Sequence, residues 1–130
     1  MRVLLPSGWP RPRGFANGVT ARGRLVFVAG MVGCDASGRF HSDDFAEQAR
    51  QALRNVVDVL ATGDARPEHI VRMTWYVIDK NEYVAAYRSI GAAYRQVIGA
   101  HYPVMTAVQV SALLEDQAKV EIEATAVIPD

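Results

Sequence analysis

Two glutamates near the end of the chain are the residues best suited to acid–base chemistry. Glu121 and Glu123 alternate with apolar residues in the segment 120–126, so they would share one face of a β-strand. A carboxylate that is partly removed from water can have its pKa raised toward neutral pH and can then carry protons. The same alternation is also typical of a strand with one solvated face, and the pattern leaves both interpretations open.

The other reactive side chains form no recognisable site. His41, His69 and His101 fall in loops or turns, and none has the i, i+4 spacing of a helical metal site. Cys34 is the only cysteine, so neither an intrachain disulfide nor a cysteine-based zinc site can form. We therefore expect no metal and a reducing compartment.

Chain length and net charge narrow the classes of protein to which the chain could belong. The 130 residues fit one domain, 1–130, and the 14 basic and 14 acidic side chains cancel, which argues against binding to nucleic acid through phosphate contacts. Arg11, Arg13, Arg22 and Arg24 cluster early in the chain, where they are either solvated or available to an anion or RNA. No apolar run approaches the roughly 18 residues of a membrane span. We expect a soluble cytoplasmic protein.

The elements that position the glutamates follow from hydrophobic periodicity and turn residues. The prolines of residues 1–14 predict an extended N-terminal arm. Strands are predicted at residues 25–30, 70–78, 104–113 and 118–128, with a further one around 16–22. The last two should be joined by a tight turn near residues 115–117.

Two helices are predicted between these strands. The first follows capping residues at 42–44 and ends at Gly63 as its C′ residue, and the second follows capping residues at 79–81 and ends at Gly99. The order β, α, β, α, β, β predicts an α+β domain with both helices on one side of one sheet.

The predicted sheet has a second face that two helices cannot cover. Apolar side chains fall on both faces of the central segment 70–78, with Trp75 on one face and Tyr76 on the other. We expect the uncovered face to pack against further copies of the chain. The alternative is that the N-terminal arm folds over it.

Five segments taken together resemble the Rid (reactive intermediate deaminase) family, which is also described as endoribonuclease L-PSP or translation inhibitor-like. They are LVFVAG, EQARQALRNVVDVL, HIVRMTWYVID, the strand start Pro103-x-x-Thr106 and VEIEATAV. The resemblance runs from about Phe15 to Val127. It implies a chorismate-mutase-like α+β fold, with a mixed sheet of about six strands backed by two helices. It also implies a barrel-like homotrimer with clefts between the subunits.

The resemblance implies an activity as well. Active members hydrolyse reactive enamines and imines made from amino acids, without metal or organic cofactor. In them an arginine in the penultimate strand binds the substrate carboxylate, a glutamate positions water or moves the proton, and an N-terminal tyrosine and backbone groups complete the pocket. Glu121 falls at the position of the catalytic glutamate. The implied substrate-binding positions are Phe15, Gly30, Met31, Met105 and Ala107.

Two of these positions depart from the family pattern. Met105 stands in place of the arginine, and Phe15 stands in place of the tyrosine. A charge-assisted hydrogen bond from arginine to a carboxylate contributes about 1.5–3 kcal/mol, which methionine cannot supply. With Met105 and Glu121 expected on open faces of adjacent strands, a pocket can persist, but it should be more apolar and prefer a different substrate. The substrate charge would be met elsewhere, by Arg13, Arg72 or Lys119.

Three functions follow from these observations. The first is a hydrolytic deaminase that acts on a small-molecule enamine or imine, for example of the 2-aminomuconate type, in a cleft between subunits. The second is a noncatalytic homotrimer that binds a small metabolite in the same clefts, which the loss of the arginine favours. The third is an endoribonuclease or translation inhibitor, which the zero net charge disfavours.

Overall fold

All 130 residues are described by the computed structural model. In chain order the strands and α-helices are β1 (Arg2–Leu4), β2 (Gly18–Thr20), β3 (Arg24–Val32), α1 (Phe45–Thr62), β4 (Ile70–Val77), α2 (Lys80–Ala85), α3 (Tyr87–Val97), β5 (Val104–Gln109) and β6 (Val120–Ile128). A short 3-10 helix, Pro67–His69, precedes β4. None of the helices has the length and apolar character that a membrane span requires.

The main sheet is mixed and has the strand order β3-β6-β4-β5. β6 is antiparallel to both β3 and β4, whereas β4 and β5 are parallel. The α+β class and the mixed sheet are therefore as predicted. The expectation that β5 and β6 are adjacent is wrong, because β4 lies between them.

The connection between β5 and β6 crosses the end of β4 and is held by a buried glutamine. Gln48 of α1 donates from Nε2 to the carbonyl of Gln117 (3.0 Å), and its Oε1 accepts from the amide of Lys119 (2.8 Å). A turn does occur at 115–118, where the Ala118 amide donates to the carbonyl of Glu115. It forms part of this crossing segment and not of a hairpin.

The strands predicted for one sheet divide into two sheets. β1 and β2 form a separate antiparallel ribbon, which meets the main sheet through a single bridge between Ala16 and Val104 at the start of β5. Gly23, at φ +147, lies between β2 and β3, and a Cβ there would overlap the backbone of Ile128, so only glycine allows the two backbones to approach this closely. The six-stranded sheet is thus a four-stranded sheet and a two-stranded ribbon.

The helices begin where the sequence predicts them but differ at their ends. Asp44 caps α1 by accepting from the Glu47 amide at 3.1 Å. After α1 the left-handed residue is Asp64 (φ +64) and not Gly63 (φ −99). The second predicted helix is interrupted at Ala86 (φ −96, ψ 6), where no proline or glycine accounts for the break. Gly99, at φ +95, follows α3 as predicted.

The helices cover one face of the main sheet, and the other is called here the open face. Trp75 and Ile122 lie on the covered face and are buried in a core of 20 residues. The open face carries Leu25 and Phe27 of β3, which are 55% and 71% exposed. The N-terminal arm packs near the loop at residues 100–102 and leaves these two side chains uncovered. The alternative in which the arm covers this face is therefore wrong.

Candidate functional site

The predicted site residues lie in two groups on opposite faces of the main sheet. Met105 of β5 is aligned with Met73 of β4, which is buried under the helices, so both face the helix side. Glu121 of β6 is aligned with Tyr76 of β4 and faces the open side. The prediction that Met105 and Glu121 lie on open faces of neighbouring strands is wrong, because β5 is a parallel edge strand beyond β4.

Three of the predicted substrate-binding residues, Phe15, Met105 and Ala107, line a cavity of about 640 Å³ on the helix side. We call it the aromatic cavity. The N-terminal arm, β4, β5, α2 and α3 enclose it, and its other lining residues are Arg13, Gly14, Trp75, Tyr83, Tyr87, Ile90, Gly91, Tyr94, Arg95 and Tyr102. A volume of this size is typical of sites for small organic ligands.

Aromatic pairs form the walls of this cavity. Tyr83 makes an edge contact with Tyr87 at 5.1 Å between ring centroids and a tilted contact with Trp75 at 6.3 Å. Tyr94 and Tyr102 stack at 5.5 Å, and the Tyr94 hydroxyl donates to the carbonyl of His101. Burial raises the pKa of both Tyr83 and Tyr94, so their hydroxyls stay protonated at neutral pH. The hydroxyls of these two tyrosines therefore add no charge to the walls of the cavity.

The only charged side chains in the aromatic cavity are two arginines, Arg13 and Arg95. Of the cations that the sequence offered, Arg72 is aligned with Thr125 on the open face, and Lys119 forms an ion pair with Glu82 at 2.9 Å. Of these three, only Arg13 lines the same cavity as Met105. Arg95 was missed, because helical periodicity placed it in α3 without indicating which part of the sheet that helix faces.

Gly30, Met31 and Glu121 form the second group, at a β-bulge between β3 and β6. The register shifts between Val28 and Met31, which are aligned with Ala124 and Ile122, so β3 has one residue more than β6 here. The Met31 side chain packs against the core, which leaves its backbone as the part available to a ligand. The glycine that ends LVFVAG was predicted to end the strand at residues 25–30, whereas β3 continues through the bulge to Val32.

The carboxylate of Glu121 lies directly over Gly30. A Cβ at position 30 would overlap Oε2 of Glu121, so only glycine permits this placement. Glu121 is half-buried and has no hydrogen bond or ion pair with another residue. Its carboxylate is therefore free to act on a ligand.

The second glutamate of the strand is engaged differently. Oε1 of Glu123 accepts a hydrogen bond from the Tyr76 hydroxyl at 2.6 Å. This bond, together with partial burial and the charges of both glutamates, raises the pKa of Tyr76. Of the two glutamates that the sequence singled out, Glu121 is the one with a free carboxylate.

No three His, Cys, Asp or Glu side chains come close enough together to hold a metal ion. The site therefore consists of a free carboxylate on one face of the sheet and an arginine-bearing aromatic cavity on the other. Together with the fold, these features define a small α+β protein with a cavity of the size that small organic ligands occupy.

The chain belongs to the endoribonuclease L-PSP family, whose sequence profile matches residues 10–128. This is the Rid family that the sequence resembles. Human 2-iminobutanoate/2-iminopropanoate deaminase is 30% identical over 105 residues, which are 80% of this chain and 73% of the relative. A Rid-family protein of unknown function from Yersinia pestis, YyfB, is 30% identical, with a TM-score of 0.84 and 98% of both chains covered. Escherichia coli TdcF, solved with bound serine, is also 30% identical, with a TM-score of 0.69 over 98% of this chain and 99% of the other.

Proposed function

We propose that the protein is a hydrolytic deaminase of reactive enamines or imines, and that its active site lies in a cleft between two copies of the chain in a homotrimer. The observation that carries this proposal is the free, half-buried carboxylate of Glu121 over Gly30. The deaminase activity of the human relative points to the same chemistry. The position of the site between copies follows from the opposite placement of the two residue groups.

A second copy of the chain is needed to complete the site. Glu121 faces the open side of the sheet, and the aromatic cavity with Met105 opens on the helix side, so one chain cannot bring both to the same ligand. Leu25 and Phe27 expose apolar surface on the open face, and such surface is typical of sites that another chain covers. A contact that joins two different surfaces is heterologous, and such contacts close into rings when the rotation permits. Because a two-fold dimer has an isologous interface, the smallest ring built from heterologous contacts is a trimer.

The chemistry requires one group that moves protons. Water adds to the carbon of the C=N bond while the Glu121 carboxylate accepts one of its protons. That proton passes to nitrogen, which completes the carbinolamine. Glu121 then takes the proton of the carbinolamine hydroxyl and delivers it to the amino nitrogen, so that the C–N bond breaks, the C=O bond forms and ammonia leaves. An enamine first takes up a proton on carbon to become the imine. Glu121 ends each cycle as the carboxylate that began it.

The aromatic cavity favours a carbon-rich substrate. Its walls of tyrosine, tryptophan and phenylalanine suit a flat unsaturated chain, since π faces stack against one another. We place a 2-aminomuconate-type intermediate among the candidate substrates for this reason. Because Met105 stands in place of the carboxylate-binding arginine, we also propose a second function, a noncatalytic trimer that binds such a metabolite without converting it.

Ammonia release from 2-iminopropanoate, generated in solution from alanine, tests the proposed activity. We expect the wild type to accelerate release, and Glu121→Gln to lower the rate by about 100-fold or more, because the proton carrier is lost. Glu123→Gln is the matched control on the same strand and face, and it should retain most of the activity. Equal rates for Glu121→Gln and wild type would exclude the role of Glu121.

Met105→Arg separates the two functions. If the wild type releases no ammonia and Met105→Arg does, the fold and the rest of the site are intact, and the natural ligand of the wild type is a different one. If both are silent while a metabolite still raises the melting temperature, the protein is a binding module.

A further inference from the structure

We infer that Arg95, together with Arg13, forms the carboxylate-binding site of the aromatic cavity and takes the role that Met105 cannot play. The inference rests on the proposed function, because it names the recognition group of the same site. It assigns the substrate class as 2-imino or 2-enamino acids with an aromatic or extended conjugated side chain.

Arg95 is held in the cavity wall by the helix that carries it. Its Nη1 atom lies 3.3 Å from where a Cβ of residue 91 would stand, so the guanidinium folds back by one turn over Gly91. Residues four apart share one face of a helix, and both of these line the cavity. A glycine inside a helix is unfavourable for the helix itself, but here it gives the guanidinium a place to lie.

Both arginines lack a partner within the chain. No carboxylate oxygen lies within 4.0 Å of a guanidinium nitrogen of Arg13 or Arg95, whereas four other arginines and one lysine form such pairs. No acidic residue lines the cavity. Both side chains are exposed in the single chain. A ligand carboxylate would therefore meet two unpaired cations and no competing anion.

The size of the cavity favours a substrate that is larger than the imine of alanine. The imine of alanine has three carbons and would leave most of the 640 Å³ unfilled. With the carboxylate at Arg95, a longer unsaturated side chain would lie against Tyr83, Tyr87 and Met105. Aromatic and thioether groups contact such chains favourably.

Equilibrium binding tests this assignment without depending on catalysis. The probes are phenylpyruvate, pyruvate and phenylacetone, of which the last is phenylpyruvate without its carboxylate, and binding to the full-length protein is followed by calorimetry. We expect phenylpyruvate to bind at least about tenfold more tightly than either of the others. Arg95→Met should weaken phenylpyruvate binding by about tenfold or more and leave phenylacetone unchanged. Arg95→Lys, which keeps the charge but loses the bidentate geometry, should fall between the two.

Arg88→Met is the matched control, because Arg88 lies on the same helix, is exposed and does not line the cavity. It should bind phenylpyruvate as the wild type does. The inference is wrong if Arg95→Met and the double variant with Arg13→Met bind phenylpyruvate as tightly as the wild type, or if phenylacetone binds as well as phenylpyruvate. If the arginine dependence holds but no imine is hydrolysed, the carboxylate site stands and the proposed activity fails.

Discussion

At the scale of single residues, the placement of Glu121 depends on a residue that has no side chain. Its carboxylate lies on Gly30 at a bulge, and it is the absence of a Cβ that leaves the space. Bulges commonly redirect a side chain beside an active site. The glycine is therefore as much a part of the proposed site as the glutamate.

Gly30→Ala should reduce imine hydrolysis while leaving the fold intact. The added methyl group displaces the Glu121 carboxylate, and a displacement of about 1 Å can lower a rate by as much as 100-fold. Steady-state rates of ammonia release measure the effect, and the melting temperature checks the fold. In a Glu121→Gln background the same change should cause little further loss, since the two act through one group. Full additivity of the two losses would contradict this coupling.

At the scale of elements, the loop between β3 and α1 is organised by one carboxylate. Oδ1 of Asp35 accepts hydrogen bonds from the amides of Ser37 (2.9 Å) and Arg39 (3.0 Å) and from the Ser37 hydroxyl (2.8 Å), and Oδ2 contacts Nε2 of His41 (2.7 Å). The bond from Arg39 contributes most to a pKa of Asp35 well below its usual range, followed by the bonds from Ser37 and His41. The stabilisation from this carboxylate is thus complete above the unfolded pKa near 3.8 and is lost as the pH falls below it.

Asp35→Asn should accordingly destabilise the protein at pH 7, and the difference from wild type should shrink as the pH is lowered below about 4. Urea unfolding midpoints at a series of pH values measure this. Asp43→Asn, an exposed aspartate a few residues later, is the control and should show no such convergence. A constant difference at all pH values would mean that Asp35 acts only through loop geometry.

The sequence predicted most elements but not how the strands pair. Periodicity located α1 and strands β3 to β6, since these patterns arise within a segment. The insertion of β4 between β5 and β6 depends on contacts distant in sequence, and strands that follow one another are neighbours only about two-thirds of the time.

The candidate site shows the same division between local and distant information. Glu121, Phe15 and Met105 could be named from their segments, whereas their separation onto two faces follows from the position of β4. Arg95 could not be recognised as a cavity residue, because nothing local indicates which part of the sheet α3 covers.

At the scale of the whole molecule, the proposed trimer depends on contacts made by the open face. We expect Phe27→Glu to reduce the mass measured by light scattering at micromolar concentration from a trimer to a monomer, since a buried charge at an apolar contact is strongly unfavourable. Activity should be lost with the assembly. Leu114→Glu, at a fully exposed apolar residue of the segment between β5 and β6, is the control and should leave the mass unchanged. A monomeric wild type would refute the proposed assembly.

Buried tyrosines make the folding stability of the protein decline at alkaline pH. Burial raises the pKa of Tyr94, and neutral hydroxyls are favoured in the folded chain, so this stabilisation is present below pH 10 and declines as the pH rises above it. At pH 8 the free energy of unfolding of Tyr94→Phe should be about 1 kcal/mol lower than that of the wild type, because the hydrogen bond to His101 is lost. Between pH 9 and 11 this free energy should depend less on pH than it does in the wild type. Urea unfolding measures both effects, with Tyr87→Phe as an exposed control. If the unfolding free energy of Tyr94→Phe fell with pH between 9 and 11 as steeply as that of the wild type, Tyr94 would not be the group responsible.

The opposite placement of Glu121 and the aromatic cavity has a consequence for mixed populations of chains. If each site takes its carboxylate from one chain and its cavity from the next, a chain that lacks Glu121 still supplies a sound cavity, and a chain that lacks Arg95 still supplies a sound carboxylate. Two inactive variants, refolded together in equal amounts, would then regain about one working site in four by random assembly around the ring. In a cell with two damaged copies of the gene, such chains would complement each other, because each supplies the half of the site that the other lacks.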